Sequence, residues 1–383
     1  MKHISLFLPS FVTGILLFSC TGKKSEDKTT GTSLKTEDFQ TQYEGKATDL
    51  VKLQNKNGME AFITNFGGRV VALNVPDRDG NLQDVVLGFD RVEDYFPENN
   101  LTDFGASIGR YANRIKDGKL PIDGDTIKLP TNNFGHTLHG GPSGWQYKVY
   151  DIKEATDSTL TLAITSADGD NNFPGKVTAL VKYTLTNDNA LDIEYSATTD
   201  APTVINMTNH SFFNLSGNPR NTIENHEIRV KADAFTPVDT TYIPTGEIIA
   251  VAGTPMDLNS FSRLGDRIND KLFEQIKTAK GFDHNWVLAT EGNIDLPAVE
   301  LYSPESGILM TVHTTEPGIQ VYTGNFLDGT ILGKGKISYD THAGLCLETQ
   351  HYPDSPNNPE WPSTRLNPDE EYRSHTIYRF STK

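Results

Sequence analysis

Residues 177–199 read VTALVKYTLTNDNALDIEYSATT, and the fold class turns on them. Val177, Ala179, Val181, Tyr183 and Leu185 occupy every second position. Leu191, Ile193, Tyr195 and Ala197 repeat the pattern against Asp192, Glu194 and Ser196. A period of two marks a strand with one face buried, because successive side chains point to opposite faces. Asn187-Asp188-Asn189 separates the two runs, and these residue types tolerate the left-handed backbone of a hairpin turn. The stretch predicts an antiparallel β-hairpin.

Outward from it, LTLAIT (160–165), TVINMTNHSFFNL (203–215), EIRVKADAF (227–235), ILMTVHTT (308–315) and IQVYTGN (319–325) predict further strands. The 32 Gly and 20 Pro supply turns between them. One stretch, about 259–279, predicts helix at length, and its apolar positions are loosely spaced. There is no strand–helix alternation of the kind that builds a parallel sheet, no internal repeat and no glycine-rich phosphate loop. The pattern predicts an all-β chain folded as a sandwich or barrel. No composition shift divides it after residue 40, so residues 41–383 read as one domain.

The chain has 383 residues, with 34 Lys and Arg against 50 Asp and Glu, a net charge of −16. That balance argues against a nucleic-acid partner, whose phosphates want a basic face. Two cysteines cannot form a disulfide framework. The first 19 residues predict a secretory signal: Lys2, then a mostly apolar run from Ile4 to Phe18 that is short for a membrane span of about 20 residues. The run ends Leu17-Phe18-Ser19-Cys20, which resembles a bacterial lipobox. Cys20 is the expected lipidation site, and residues 20–40, polar and charged, read as a flexible linker. The expectation is a protein of the bacterial cell envelope, periplasmic or cell-surface, held to its membrane by the N-terminal lipid alone. Cys346 would then have no partner for an intrachain disulfide.

Several polar residues sit inside β-like runs, where an unpaired polar group is costly. They are Asn113 and Arg114 in GRYANRI, His139 in TLHGG, His210 in MTNHSFF, Asp283 in GFDHNW, Gln320 in GIQVY and Glu348 in CLETQ. Each also has an ordinary reading as a satisfied core or surface residue, and their wide separations cannot show that they meet. His136, His284 and His351 read as ordinary histidines. Trp145 and Trp286 could stack on a sugar, although aromatic core residues are commoner.

Taken together, FGASIGRYANRI (104–115), TLHGG (137–141), TNHSFFNLSG (208–217), FTPVDTTYIPTGEI (235–248), GFDHNW (281–286), TTEPGIQVYTGNFLDG (314–329) and GLCLETQHYPDSPNNP (344–359) resemble the aldose 1-epimerase, or galactose mutarotase, family. The resemblance implies a large antiparallel β-sandwich, the galactose mutarotase supersandwich. It implies interconversion of the α and β anomers of aldohexoses such as galactose and glucose, with no cofactor and no metal. By resemblance, Glu348 is the general base on the anomeric hydroxyl and His210 the general acid at the ring oxygen. Asn113, Arg114, His139, Asp283 and Gln320 are the implied sugar-binding positions. Ring opening moves one proton off O1 and one onto the ring oxygen, so one acid and one base suffice. Two other chemistries fit part of the set. A glycoside hydrolase would use two carboxylates, here Glu348 and Asp283. A non-catalytic carbohydrate-binding lipoprotein would need the hydroxyl-reading residues without the acid–base pair.

Overall fold

The computed structural model describes Met1, His3 and residues 31–383. The expected signal run and the lipidation site at Cys20 lie outside those residues. Among the described residues no helix is long and apolar enough to cross a membrane.

The opening hairpin forms as its pattern dictates. Val177–Leu185 alternates buried and outward positions, and it pairs antiparallel with Ala190–Thr199 from Leu185 opposite Leu191 to Val177 opposite Thr199. Asn189 takes the left-handed turn conformation, at φ 60°. The hairpin lies within a nine-stranded sheet, in spatial order 151–155, 159–166, 177–185, 190–199, 372–382, 308–314, 299–302, 227–230, 262–263. A six-stranded sheet runs 212–213, 345–350, 318–322, 283–288, 232–236, 249–250, and a four-stranded one spans 50–84. All strand pairs in these sheets are antiparallel.

One apolar cluster joins the three sheets. It takes Val181 and Ile193 from the nine-stranded sheet, Ile319 and Leu347 from the six-stranded sheet and Leu73 from the four-stranded one. The architecture is the antiparallel sandwich that the alternation predicted, with facing apolar sides interdigitated as in other sheet-on-sheet cores.

Three expectations change. EIRVKADAF is not one strand: 227–230 joins the nine-stranded sheet, and 232–236 crosses to the six-stranded one. TVINMTNHSFFNL divides into 203–204, 208–210 and 212–213, each in a different sheet. Its asparagines explain the breaks. Asn206 Nδ2 donates to His351 O at 3.3 Å, while Asn209 Nδ2 donates to Gly105 O and its Oδ1 accepts from Ser211 N–H. These bonds offer the backbone an alternative to a continuous ladder. The helical stretch holds two short helices, Leu264–Ile268 and Glu274–Ala279, separated where Asp270 Oδ1 accepts from the Leu272 and Phe273 N–H groups.

The domain also begins before residue 41. Phe39 is fully buried, with Leu34 packed against the same cluster. Thr32 exchanges two hydrogen bonds with the Asn74 side chain, at 3.0 and 2.8 Å. Phe39 and Leu34 of the expected linker are docked because they join an apolar cluster with Leu50, Phe62, Val71 and Ala72 of the four-stranded sheet.

Candidate active site

The six-stranded sheet has two unlike faces. Leu345, Leu347, Ile319, Val321 and Trp286 turn to the core. The alternate positions are Cys346, Glu348 and Gln350, then Gln320 and Tyr322, then Asp283 and Asn285. Register sets these side by side: Gln320 lies opposite both Glu348 and Asn285, and Tyr322 opposite both Cys346 and Asp283. Every residue of Leu345–Gln350 is buried. This second face is therefore a polar wall roofed by other parts of the chain.

The roof comes from three segments. Strand 208–210 brings His210, the turn after Tyr111 brings Asn113 and Arg114, and LHGG brings His139. Together with Glu348 and Asp283 they enclose a cavity of about 370 Å³. Gly140 shows why glycines stand here: at φ 80°, a Cβ would lie 2.3 Å from Gly109 O. The close approach is to backbone rather than to a ligand, and it clamps the His139 loop onto the segment that carries Asn113 and Arg114.

His210 Nε2 faces Glu348 Oε1 at 3.6 Å. Both side chains are nearly fully buried. Burial pushes the Glu348 carboxyl well above its usual range, with the Asp283 and Asp103 charges adding to the rise and Arg114 opposing it. Burial pulls the His210 imidazole down to about 4. Each group is driven toward its neutral form, the protonated acid for Glu348 and the unprotonated imidazole for His210. Glu348 Oε2 is buried without a hydrogen-bond partner among the described residues. On its far side, His210 Nδ1 meets the Cys346 sulfur at 3.5 Å. Burial holds that thiol protonated.

His139 and Asn113 both take left-handed backbone, at φ 50° and 60°. They lock each other: His139 N–H donates to Asn113 O at 3.0 Å, and Asn113 N–H donates to His139 Nδ1 at 3.1 Å. Burial and the neighbouring His210 hold His139 neutral. With Nδ1 accepting, the ring proton sits on Nε2, so His139 is a fixed hydrogen-bond donor.

Asp103, His139 and His210 bring one ligating atom each within 4.8 Å of one another, a grouping that sequence spacing did not display. It does not fit a metal ion, because a His139 ring with Nδ1 accepting and Nε2 protonated has no lone pair for a cation.

Arg114 donates to Asn133 Oδ1 at 3.1 Å and lies over the Tyr242 ring at 5.4 Å. Its guanidinium stands near Asp283 and Glu348, and burial lowers its pKa while those two charges oppose the fall. Asp283 is raised, burial outweighing Arg114 and its hydrogen bond from Gln320. Gln320 differs from the other predicted positions. It does not line the cavity; its Nε2 donates to Asp283 Oδ1 at 2.7 Å from below. His284 holds the Asp283 backbone, its Nδ1 accepting from Asp283 N–H at 3.2 Å.

Trp145 and Trp286 are core residues, each almost fully buried. Trp286 Nε1–H donates to Met256 O, and Trp145 packs so tightly on Gly109 that a Cβ there would overlap its ring. His136 accepts from Asp117 N–H and meets Thr241 Oγ1, and His351 pairs with Glu316 at 2.6 Å. Both read as structural. Aromatic residues at the mouth were missed: Phe134, Tyr242 and Phe326 form a chain with 5.4 Å between successive ring centroids. Phe134 and Phe326 are exposed large apolar residues, but alternation cannot see them because they sit on loops.

The sequence model of the aldose 1-epimerase family matches residues 49–379. The chain belongs to the aldose 1-epimerase family. It is 42% identical to a galactose mutarotase of Bos taurus over 319 residues, 83% of this chain and 90% of that one. It is 37% identical to the aldose 1-epimerase of Escherichia coli K12 over 339 residues, 88% of this chain and 96% of that one. Among solved structures it resembles a GalM/aldose epimerase homologue from C. elegans, with a TM-score of 0.82, 32% identity and coverage of 88% and 99%. A galactose 1-epimerase from Lactobacillus acidophilus NCFM gives 0.78 at 27% identity, covering 89% and 97%. The large antiparallel sandwich expected of an aldose 1-epimerase is the one observed.

Proposed function

We infer that the protein is an aldose 1-epimerase, an isomerase interconverting the α and β anomers of aldohexoses. The observation that carries the mechanism is the buried Glu348–His210 pair, with His210 Nε2 3.6 Å from Glu348 Oε1. In the reactive form the proton has passed from Glu348 to His210; ionised Glu348 then takes the O1 proton as protonated His210 gives its proton to the ring oxygen, and the C1–O5 bond opens to the aldehyde. Rotation about C1–C2 presents the other carbonyl face, and reclosure returns both protons. Each of the two proton transfers contributes typically 10²–10⁴-fold. His139 donates from Nε2 near the ring oxygen, while Arg114, Asn113 and Asp283 fix ring hydroxyls. Gln320 acts through Asp283 as a positioning residue.

Polarimetry on freshly dissolved α-D-galactose and α-D-glucose tests this. The folded chain accelerates the approach to equilibrium rotation in catalytic amounts. Binding without acceleration would favour a sugar-binding protein, and release of sugar from a β-galactoside would favour a hydrolase.

We further propose that Cys20 carries lipid and that the residues after it tether the domain to a membrane of a bacterial envelope. The lipobox-like run supports this reading. Cys20→Ser is expected to move the protein from the membrane to the soluble fraction; unchanged fractionation would reject the anchor.

A further inference from the structure

Asp103 has no part in the mechanism above, yet the chain holds it firmly at the cavity wall. The fully buried Arg69 guanidinium donates to Thr102 O at 3.1 Å and Phe104 O at 2.9 Å, the carbonyls on either side of Asp103. Asp103 O itself accepts from Ala106 N–H at 3.0 Å. Its side-chain Oδ1 is shut away from solvent with no hydrogen-bond partner among the described residues, so the half-buried carboxylate faces the cavity through Oδ2.

The space in front of it is defined. The polar atoms of Asp103, His139 and His210 lie within 4.8 Å of one another. That separation accommodates one or two sugar oxygens at hydrogen-bond distance. His139 contributes a donor there through Nε2. His210, on the reading above, addresses the ring oxygen. In an aldohexopyranose C5 carries both the ring oxygen and the C6 hydroxymethyl, so the C6 hydroxyl reaches the same space from the side away from O1. It brings a donor hydrogen, which the ring oxygen lacks.

We propose that Asp103 is a specificity-determining residue that accepts a hydrogen bond from the C6 hydroxyl of the aldohexose. The proposal rests on the assignment of His210 to the ring oxygen. An acceptor-only carboxylate at this point selects a neutral C6 bearing a hydroxyl. It disfavours a 6-deoxy sugar, which has no donor, and a C6 carboxylate, which repels it.

The test compares kcat/KM for D-galactose, D-fucose (6-deoxy-D-galactose) and 6-deoxy-6-fluoro-D-galactose in the wild type, Asp103→Asn and Asp103→Ala. The fluoro sugar keeps an acceptor and loses the donor. The wild type is expected to prefer galactose to both analogues by about tenfold or more, the size of a hydrogen bond to a charged group. Asp103→Ala brings both ratios close to one by lowering the galactose value. Each ratio is taken within one preparation, so a partly unfolded variant does not distort it. Equal ratios in wild type and Asp103→Ala, or a wild type indifferent to C6, would overturn the proposal. A wild type that accelerates no sugar would instead overturn the epimerase reading.

Discussion

Two carboxylate–imidazole pairs in this molecule have opposite fates. Asp192 and His375 meet on the outer face of the nine-stranded sheet, each side chain partly exposed. There the hydrogen bond that His375 donates to Asp192 outweighs burial and raises the His375 pKa. Glu348 and His210 meet beneath the roof of the six-stranded sheet, where desolvation dominates and His210 falls instead. The same two functional groups thus make a solvated pair in one place and a desolvated pair, each member driven toward its neutral form, in the other. The difference is access to water, which stabilises the charged forms of both partners.

The largest effect is expected from breaking the buried pair. Glu348→Gln and His210→Asn should each lower kcat by about 10²–10⁴-fold in polarimetric assays while the thermal transition holds. A rate near wild type in either variant would remove that residue from the mechanism. Next come the apolar neighbours. Leu347→Ala and Ile193→Ala each empty a fully buried site in the shared core, and each should cost about 2–5 kcal/mol in denaturant titrations. Ile193→Ala should leave kcat of the folded fraction unchanged, so a large kcat loss would show that the two sheets are not functionally separate.

Proton loading sharpens the contrast further. With His210 drawn down to about 4, kcat should stay level as pH falls through 6.5 and drop only near 4, where both members of the pair are protonated and no base is left. A midpoint at 6.5 would mean that His210 is as solvated as a surface histidine. Asp103, pushed by burial up to about 6, loses its acceptor charge earlier, so kcat/KM for galactose should begin to fall near that pH. The smallest effect belongs to the exposed pair. His375 has a raised folded-state pKa, so its stabilisation is complete below the unfolded value and lost as pH rises through the folded one. Asp192→Asn should cost less than about 1 kcal/mol at pH 5.5, and less still at pH 9. A constant difference across that range would assign the cost to packing.

Much of the site was legible because the alternation that built the core also orders the polar wall. In LCLETQ, Leu345 and Leu347 mark one face, which puts Cys346, Glu348 and Gln350 on the other. What alternation cannot show is that this other face is covered. In ALDIEYSATT the polar set meets water, and in LCLETQ it meets a roof supplied from more than 130 residues away in sequence, as with His210 and Cys346. GRYANRI makes the same point with two arginines. Arg110 is consumed by the Pro174 and Gly175 carbonyls and Ser166, whereas Arg114 enters the cavity. Nothing local in the heptapeptide distinguishes them. Asp103 stood in plain view beside FGASIG, but only the Arg69 clamp gives it a direction.

The sequence alone determined the all-β class, the hairpin at its centre, the acidic balance and the family, because periodicity and ordered motifs are properties of the chain as written. Tertiary structure decided which polar residues are dry, which tautomer His139 holds, and that Gln320 supports Asp283 from outside the cavity. It also decided that the domain starts before residue 41. These depend on how segments distant along the chain exclude water from one another, and burial of that kind has no signature in any single stretch.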